Sequence, residues 1–200
     1  MATILVTGGA GYIGSHTVIE LVNAGYDVVI YDNFYNSKPA VLARVNKIVG
    51  KTVPFVAGDI RNREQLETVF TNYKIDAVIN FAGLKAVGES MKKPLEYYDN
   101  NVNGARVLLA VLREFNCKNF IFSSSATVYG EPDSVPLTEE SPVKRANCPY
   151  GHTKVDIEYM CQELQNADNE FSMVLLRYFN PVGAHESGLI GEDPRGIPNN

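Results

Sequence analysis

Cysteine is scarce in this chain. Cys117, Cys148 and Cys161 form an odd set of three, without Cys-x-x-Cys spacing and without a histidine cluster nearby. That pattern argues against a disulfide framework and against a zinc site, so no metal is expected, and free thiols suit a reducing compartment. Long basic runs are missing too. With Lys+Arg 18 against Asp+Glu 23 the formal net charge is -5, which disfavours non-specific nucleic-acid binding. No apolar run approaches the length of a membrane span, so no membrane partner is expected. The chain starts almost directly in an apolar strand, with no room for a charged start, an apolar stretch and a cleavage site, and a cytoplasmic location is expected. What is present fits a folded domain: 200 residues, 45% hydrophobic and 20% charged, free of repeats.

The first informative stretch is Ala2-Thr3-Ile4-Leu5-Val6-Thr7, a short buried strand running directly into Gly8-Gly9-Ala10-Gly11-Tyr12-Ile13-Gly14. A helix follows, with Gly14, Val18, Leu21 and Val22 on one face. Gly14 is expected to let that helix lie close against the sheet. Gly8 and Gly11 permit a tight turn and leave bare backbone where a pyrophosphate can meet a helix N-terminus. The spacing is Gly-x-x-Gly-x-x-Gly, which differs from the commonest dinucleotide fingerprint, and a tight strand-to-helix turn without a ligand also satisfies it. Asp32 adds weight. It ends the strand Asp27 to Tyr31, where a carboxylate can accept hydrogen bonds from ribose hydroxyls and repel a phosphate, favouring NAD over NADP. A solvated turn aspartate beside Asn33 is the plainer alternative, and Lys38 nearby leaves some tolerance of NADP open.

Further on, strands and helices alternate. Residues 52–57, 76–81, 119–122 and 171–178 read as strands, residues 62–73 as a helix, and Pro94 opens a long helix striped by Tyr98, Val102, Ala105, Leu109 and Leu112. Such alternation implies an α/β fold, a doubly wound parallel sheet covered on both faces. The proline-bearing polar stretch 130–149 reads as an ordered surface loop. Ligands of such sheets gather at the carboxyl ends of the strands, an edge that should carry Gly8 to Gly14, Asp32, Asp59, Phe81 to Lys85 and Ser123 to Thr127.

Chemistry enters with Tyr150 and Lys154. Tyr150, Lys154, Ile157, Cys161 and Leu164 follow helical spacing along one face, and a lysine in a buried stripe needs compensation. An ammonium one turn from a phenol favours the phenolate, which would make Tyr150 a base near neutral pH. A lysine snorkelling to water beside an ordinary tyrosine fits the same spacing. Ser123-Ser124-Ser125 leaves a strand end just ahead of the loop that delivers Tyr150. A hydroxyl from it, preferably that of Ser125, could hold the oxygen that Tyr150 deprotonates, although a capping turn also uses such serines.

Together, Gly8-x-x-Gly11-x-x-Gly14, Asp32, Tyr150-x-x-x-Lys154 and the serine run resemble the extended short-chain dehydrogenase/reductase family. Thr7 to Thr17, Phe81 to Ser90, Ser123 to Gly130, Leu176 to Pro181 and Gly191 to Asn200 narrow the resemblance to its nucleotide-sugar epimerases. The resemblance implies a Rossmann-type domain with Tyr12 and Ile13 against the pyrophosphate of NAD. It implies Asp32, Asn33, Phe34, Tyr35, Asn36 and Ser37 near the adenosine ribose, and Asp59 with Ile60 near adenine. Phe81, Ala82, Gly83, Leu84, Lys85, Asn100, Lys154 and Phe179 would surround the same cofactor. Ser125 and Tyr150 would touch both NAD and the reacting sugar hydroxyl, while Asn180 and Asn200 would touch the nucleotide sugar. His152 departs from the commonest form of the catalytic segment and should face away from the phenol.

The implied activity is interconversion of UDP-galactose and UDP-glucose by transient oxidation at sugar carbon 4. The related 4,6-dehydratases share that start but carry an Asp-Glu pair where this chain has Ala126-Thr127, so elimination lacks its acid and base. A dinucleotide-binding module without turnover would be marked by loss of the tyrosine or lysine, and both are here. The resemblance also implies chain beyond Asn200. Residues 1–180 are expected to form the NAD-binding domain and 181–200 the start of a substrate-binding region. Most of that second domain would be missing, with exposed apolar surface and weak or no turnover alone. Pairing of two copies into a homodimer is left open.

Overall fold

The computed structural model describes residues 1–194, in which six strands form one sheet: β1 (Thr3–Thr7), β2 (Asp27–Asp32), β3 (Phe55–Ala57), β4 (Ala77–Asn80), β5 (Asn119–Ser125) and β6 (Ser172–Tyr178). Every pairing is parallel, in the order β3-β2-β1-β4-β5-β6. That order is the doubly wound Rossmann arrangement, and it reverses direction between β1 and β4, where such sheets open a crevice at their carboxyl edge. The connections are α1 (Tyr12–Asn23), α2 (Ala40–Val49), α3 (Arg63–Asn72), the short α4 (Val87–Ser90) and α5 (Pro94–Tyr97), α6 (Gly104–Glu114) and α7 (Pro149–Ala167).

The apolar strands are continuous runs because neighbouring residues are buried in opposite layers. Leu5, Val29, Val78 and Phe120 meet Leu66 of α3, Leu108 and Leu112 of α6 and Ile157 of α7. Ile4, Val6, Val28 and Ile30 meet Val18 and Ile19 of α1 and Val45 of α2 on the other side. The cover is incomplete at β6. Met173 and Leu175 pack toward the α6 and α7 layer, whereas Val174 and Leu176 stay 43% and 38% exposed, so the expectation of a sheet covered on both faces fails at this strand.

Other boundaries differ from expectation for local reasons. β3 starts at Phe55 and not at 52, because Pro54 has no N–H to give the ladder; its carbonyl instead accepts from Ile30 N at 2.8 Å. α1 starts at Tyr12, two residues before Gly14, and α2, whose Val41, Leu42, Val45, Ile48 and Val49 follow helical spacing, is an element not among those expected. The helix expected to run on from Pro94 is broken by a π-helix, Tyr98–Asn103, between α5 and α6. Its wider turn shifts the phase of the stripe. Tyr98 is consequently turned out, and Asn101 is buried in its place. The 130–149 loop is ordered by hydrogen bonds such as Lys144 N to Val128 O and by His152 against Ala146 O.

Candidate active site

The glycine turn is shaped by contact and not only by flexibility. Gly8 has φ +70, and a Cβ there would lie 2.6 Å from Ala82 N, so the turn rests against the start of the 81–85 run. At Gly14 a Cβ would come within 2.2 Å of Gly8 O, so this glycine brings α1 against the turn's own backbone and not, as expected, against the sheet. Gly11 differs: a Cβ there would meet Gly8 O at 3.1 Å and nothing else within 4 Å. Gly11 is also the N-cap of α1, which has no side-chain cap and no acidic residue in its first turn. The first N–H groups of that helix, at Tyr12, Ile13 and Gly14, are therefore left to an anion from outside.

Asp32 is buried, which removes the reading of it as a solvated turn residue. Its Oδ2 accepts from Ala10 N at 3.1 Å, and its Oδ1 from Phe34 N at 2.8 Å and Ser37 Oγ at 3.0 Å. The carboxylate thus ties the tip of β2 to the glycine turn. Asn33 donates to Asp59, whose carboxyl is held below its ordinary range chiefly by the hydrogen bond from Arg61. Tyr35 and Asn36 are exposed, while the side chain of Ile60 lies in the core against Gly104. Lys38 is engaged with Asp193 at 2.7 Å.

At the carboxyl end of β5, Ser125, Tyr150 and Lys154 come together. α7 begins at Pro149 after Cys148, whose sulfur accepts from Gly151 N at 3.4 Å, and this start sets Tyr150 in the first turn beside Ser125. Burial raises the phenol above its ordinary pKa, and the hydrogen bond with Ser125 opposes that rise. Lys154 is 7% exposed, donates to Ser123 O at 2.7 Å and lies 5.7 Å from the centre of the Tyr150 ring. The ammonium thus lies beside the phenol ring but bonds to a backbone carbonyl, and the lysine does not by itself make Tyr150 the phenolate expected from the spacing. Burial pushes Lys154 down to about 8, against the opposing influence of Glu158. Ser124 is no unpaired capping hydroxyl either: it is buried and donates to Glu158 Oε1 at 2.5 Å.

Facing these groups is the 81–85 run, fixed by Asn101. Leu84 N donates to Asn101 Oδ1 at 2.8 Å, and Asn101 Nδ2 donates to Leu84 O at 3.0 Å and Thr153 Oγ1 at 3.1 Å. Asn100, the neighbour expected near the cofactor, donates to the same Oδ1 at 2.9 Å. A Cβ on Gly83 would lie 3.9 Å from Lys154 Nζ, which brings this run to the lysine. Beyond β6, Phe179 and Asn180 are exposed, and Asn180 lines a cleft of about 380 Å³ with Tyr12, Pro181 and Gly183. Tyr12 Oη donates to Gly183 O at 2.6 Å and Lys85 pairs with Glu192 at 3.3 Å, which fastens the 181–194 segment across the glycine turn. Asn200 lies outside the described residues.

The donor chemistry fits a dinucleotide: a bare turn, an uncapped helix start and a carboxylate at the next strand tip lie along one edge. A phenol beside a serine hydroxyl, with a buried amine near its ring, can move a proton to or from a hydroxyl brought to that edge. Asn101, Glu158 and Arg177, which fix this arrangement, are not among the site residues expected from the sequence. The four-residue steps Tyr150, Lys154, Glu158 were the available signal for the second of these.

A model of the NAD dependent epimerase/dehydratase family matches residues 4–196. UDP-glucose 4-epimerase 2 of Arabidopsis thaliana is 57% identical over 201 residues, covering 99% of this chain and 57% of that protein. UDP-glucose 4-epimerase of Yersinia pestis is 56% identical over 197 residues, covering 98% of this chain and 58% of its own length. Among solved structures, UDP-glucose 4-epimerase from Bifidobacterium longum in complex with NAD+ and UDP superposes with a TM-score of 0.98 at 56% identity. That match covers 100% of this chain and 59% of the other. The chain thus spans less than three fifths of each of these three relatives.

Proposed function

Because the chain belongs to the NAD dependent epimerase/dehydratase family, we propose that it is the cofactor-binding and proton-transferring part of an enzyme that interconverts UDP-galactose and UDP-glucose by inversion at sugar carbon 4. The observation that carries this reading is the convergence of Ser125, Tyr150 and Lys154 at the sheet edge that also holds the bare glycine turn. In this reading the start of α1 and Gly11 hold the diphosphate of NAD, and Asp32 and its turn hold the adenosine ribose. Lys85, Asn100 and Lys154 hold the remainder. NAD, when bound, supplies the hydride acceptor and donor that takes the sugar through a 4-keto state.

The chain's own residues supply the proton chemistry. Tyr150 must first give up its own proton, which positive charge from Lys154 and a bound nicotinamide would favour; as the phenolate its Oη would take the proton of the 4-hydroxyl while Ser125 Oγ holds the same oxygen. Inversion requires the sugar to present its other face while the nucleotide stays anchored, and Asn180 is assigned to that anchoring. Elimination, the dehydratase alternative, would need an acid and a base near Ser125. Ala126 and Thr127, in the 3₁₀ turn that follows β5, offer neither. Residues 1–180 are assigned to the cofactor unit and 181–200 to the start of the substrate-binding region. Three buried free thiols support a reducing, cytoplasmic setting.

The test is appearance of reduced nicotinamide when UDP-galactose is added to the NAD-loaded chain, with UDP-glucose measured alongside. Tyr150→Phe should lower the rate of reduction by about two orders of magnitude or more. An unchanged rate would remove Tyr150 as the base.

A further inference from the structure

We propose that Glu158 is the positioning residue for Lys154: a buried carboxylate one helical turn away, clamped by hydrogen bonds from Ser124 and Arg177, that ties to α7 the end of β5 whose Ser123 carbonyl receives the ammonium. Its bearing on catalysis rests on the reading of Tyr150 and Lys154 given above. The clamp itself does not.

A buried ammonium requires a counter-charge or it is lost to the neutral amine. Lys154 is 7% exposed, and its hydrogen bond runs to the neutral Ser123 carbonyl. One turn further along α7, Glu158 is 2% exposed, an unusual place for a carboxylate unless it is fully engaged. It is engaged. Oε1 accepts from Ser124 Oγ at 2.5 Å and Arg177 Nε at 3.1 Å, and Oε2 accepts from Arg177 Nη2 at 2.8 Å. Arg177 is itself held on β6, with its guanidinium 4.9 Å from the Tyr129 ring centre and Nη1 donating to Tyr129 Oη at 3.1 Å.

The result is a ladder between two elements. Two consecutive residues of β5 bond to α7, Ser123 O to Lys154 and Ser124 Oγ to Glu158, and the next, Ser125, lies beside Tyr150. The four-residue steps on the helix let all three contacts form on one face. Electrostatics runs the same way as geometry, since Glu158 opposes the fall that burial imposes on Lys154. The other ionisable groups around the pair are Tyr150 and Cys161 on α7, Tyr129 on the 3₁₀ turn and Arg177 on β6; the π-helix contributes the uncharged Asn101. Cys161, pushed up to about 12 by burial and by Glu158, stays a neutral thiol.

The experiment is an NMR titration of the ¹³Cε signal of Lys154 in the chain, assigned by its loss in Lys154→Met, with near-ultraviolet circular dichroism to verify folding. Glu158→Gln keeps the shape and removes the charge, and it should lower the lysine midpoint by about one unit or more. Glu158→Asp keeps the charge and should hold the midpoint within about half a unit of the parent. Should the glutamine variant not fold, the comparison moves to the Arg177→Met background, where Glu158→Gln/Arg177→Met should titrate about one unit or more below Arg177→Met alone, because only the carboxylate charge differs between the two. An unmoved midpoint in a folded glutamine variant, no difference between the double variant and Arg177→Met, or an aspartate variant that falls as far as the glutamine one, would overturn the proposal. The titration needs neither cofactor nor turnover. A shifted lysine with Tyr150→Phe still active would therefore sink the epimerase reading and leave the clamp standing, and the reverse result would do the opposite.

Discussion

Lys154 holds its charge against its surroundings, and that has a consequence for stability. Its ordinary value of 10.5 falls to about 8 in the folded chain, so between those values the unfolded chain binds more protons than the folded one. Stability therefore rises with pH across that window; it is greatest with the amine neutral in both states and falls as pH drops through the folded value. A shift of this size corresponds to about 3 kcal/mol at neutral pH. Lys154→Met should accordingly raise the unfolding free energy of the ligand-free chain at neutral pH by up to about 3 kcal/mol, less what the unpaired Ser123 carbonyl takes back. Denaturant titrations of both proteins should converge as pH rises from 8 to 10.5. A gap that stays constant with pH would show that packing, not charge, separates the two. Apolar periodicity gave Tyr150 and Lys154 their places on α7, but it is blind to a buried carboxylate, which is why Glu158 was not read. It also gave no sense of where Nζ points. The lysine turns to the Ser123 carbonyl, so the phenol stays protonated until further positive charge arrives beside it.

At the scale of elements, the strand, turn and helix from Thr3 to Asn23 separate two uses of glycine. Gly14 is required for folding, because a Cβ would collide with Gly8 O at 2.2 Å and Gly9 Cα at 2.8 Å, both backbone atoms that cannot step aside. Gly14→Ala should lose about 3 kcal/mol or more of stability. Gly11 sits in the extended region, φ -77 and ψ 179, with a contact at 3.1 Å as its closest, so Gly11→Ala should fold within about 1 kcal/mol of the parent. Its methyl would stand at the helix start proposed to hold the diphosphate, and calorimetry should record about a tenfold or greater loss of NAD affinity. Equal effects on melting for the two variants would refute this division. The turn, its strand and its helix were legible because glycine spacing and apolar runs are local signals. The π-helix was not. Asn101 is buried only because the wider turn at Tyr98–Asn103 rotates it inward to hold Leu84 and Thr153. A stripe counted at a constant 3.6 residues per turn cannot anticipate that change of phase.

The sheet as a whole was legible from alternation alone, since apolar runs separated by helical segments leave a parallel order as the economical solution. Coverage was not legible, because it depends on which helix crosses which strand. α1 and α2 cover one layer and α3, α6 and α7 the other, yet among the described residues β6 receives a helix on one face only. Val174 and Leu176 alternate onto the open face. The outer edge of β6 also lacks a strand partner among the described residues. An apolar face beside an open edge favours association. Purified chain should therefore self-associate with concentration in sedimentation velocity and bind a hydrophobic dye. Val174→Lys/Leu176→Lys should weaken that association about tenfold or more, because two charges placed on the contact must be desolvated or left apart. Neither side chain packs in the two core clusters, so the far-ultraviolet circular dichroism and the melting midpoint should stay close to those of the parent. Association that is undiminished in the double variant would assign it to another surface, such as the exposed side chains of Leu95 and Tyr159 on α5 and α7, and would leave the open face of β6 without a role in it.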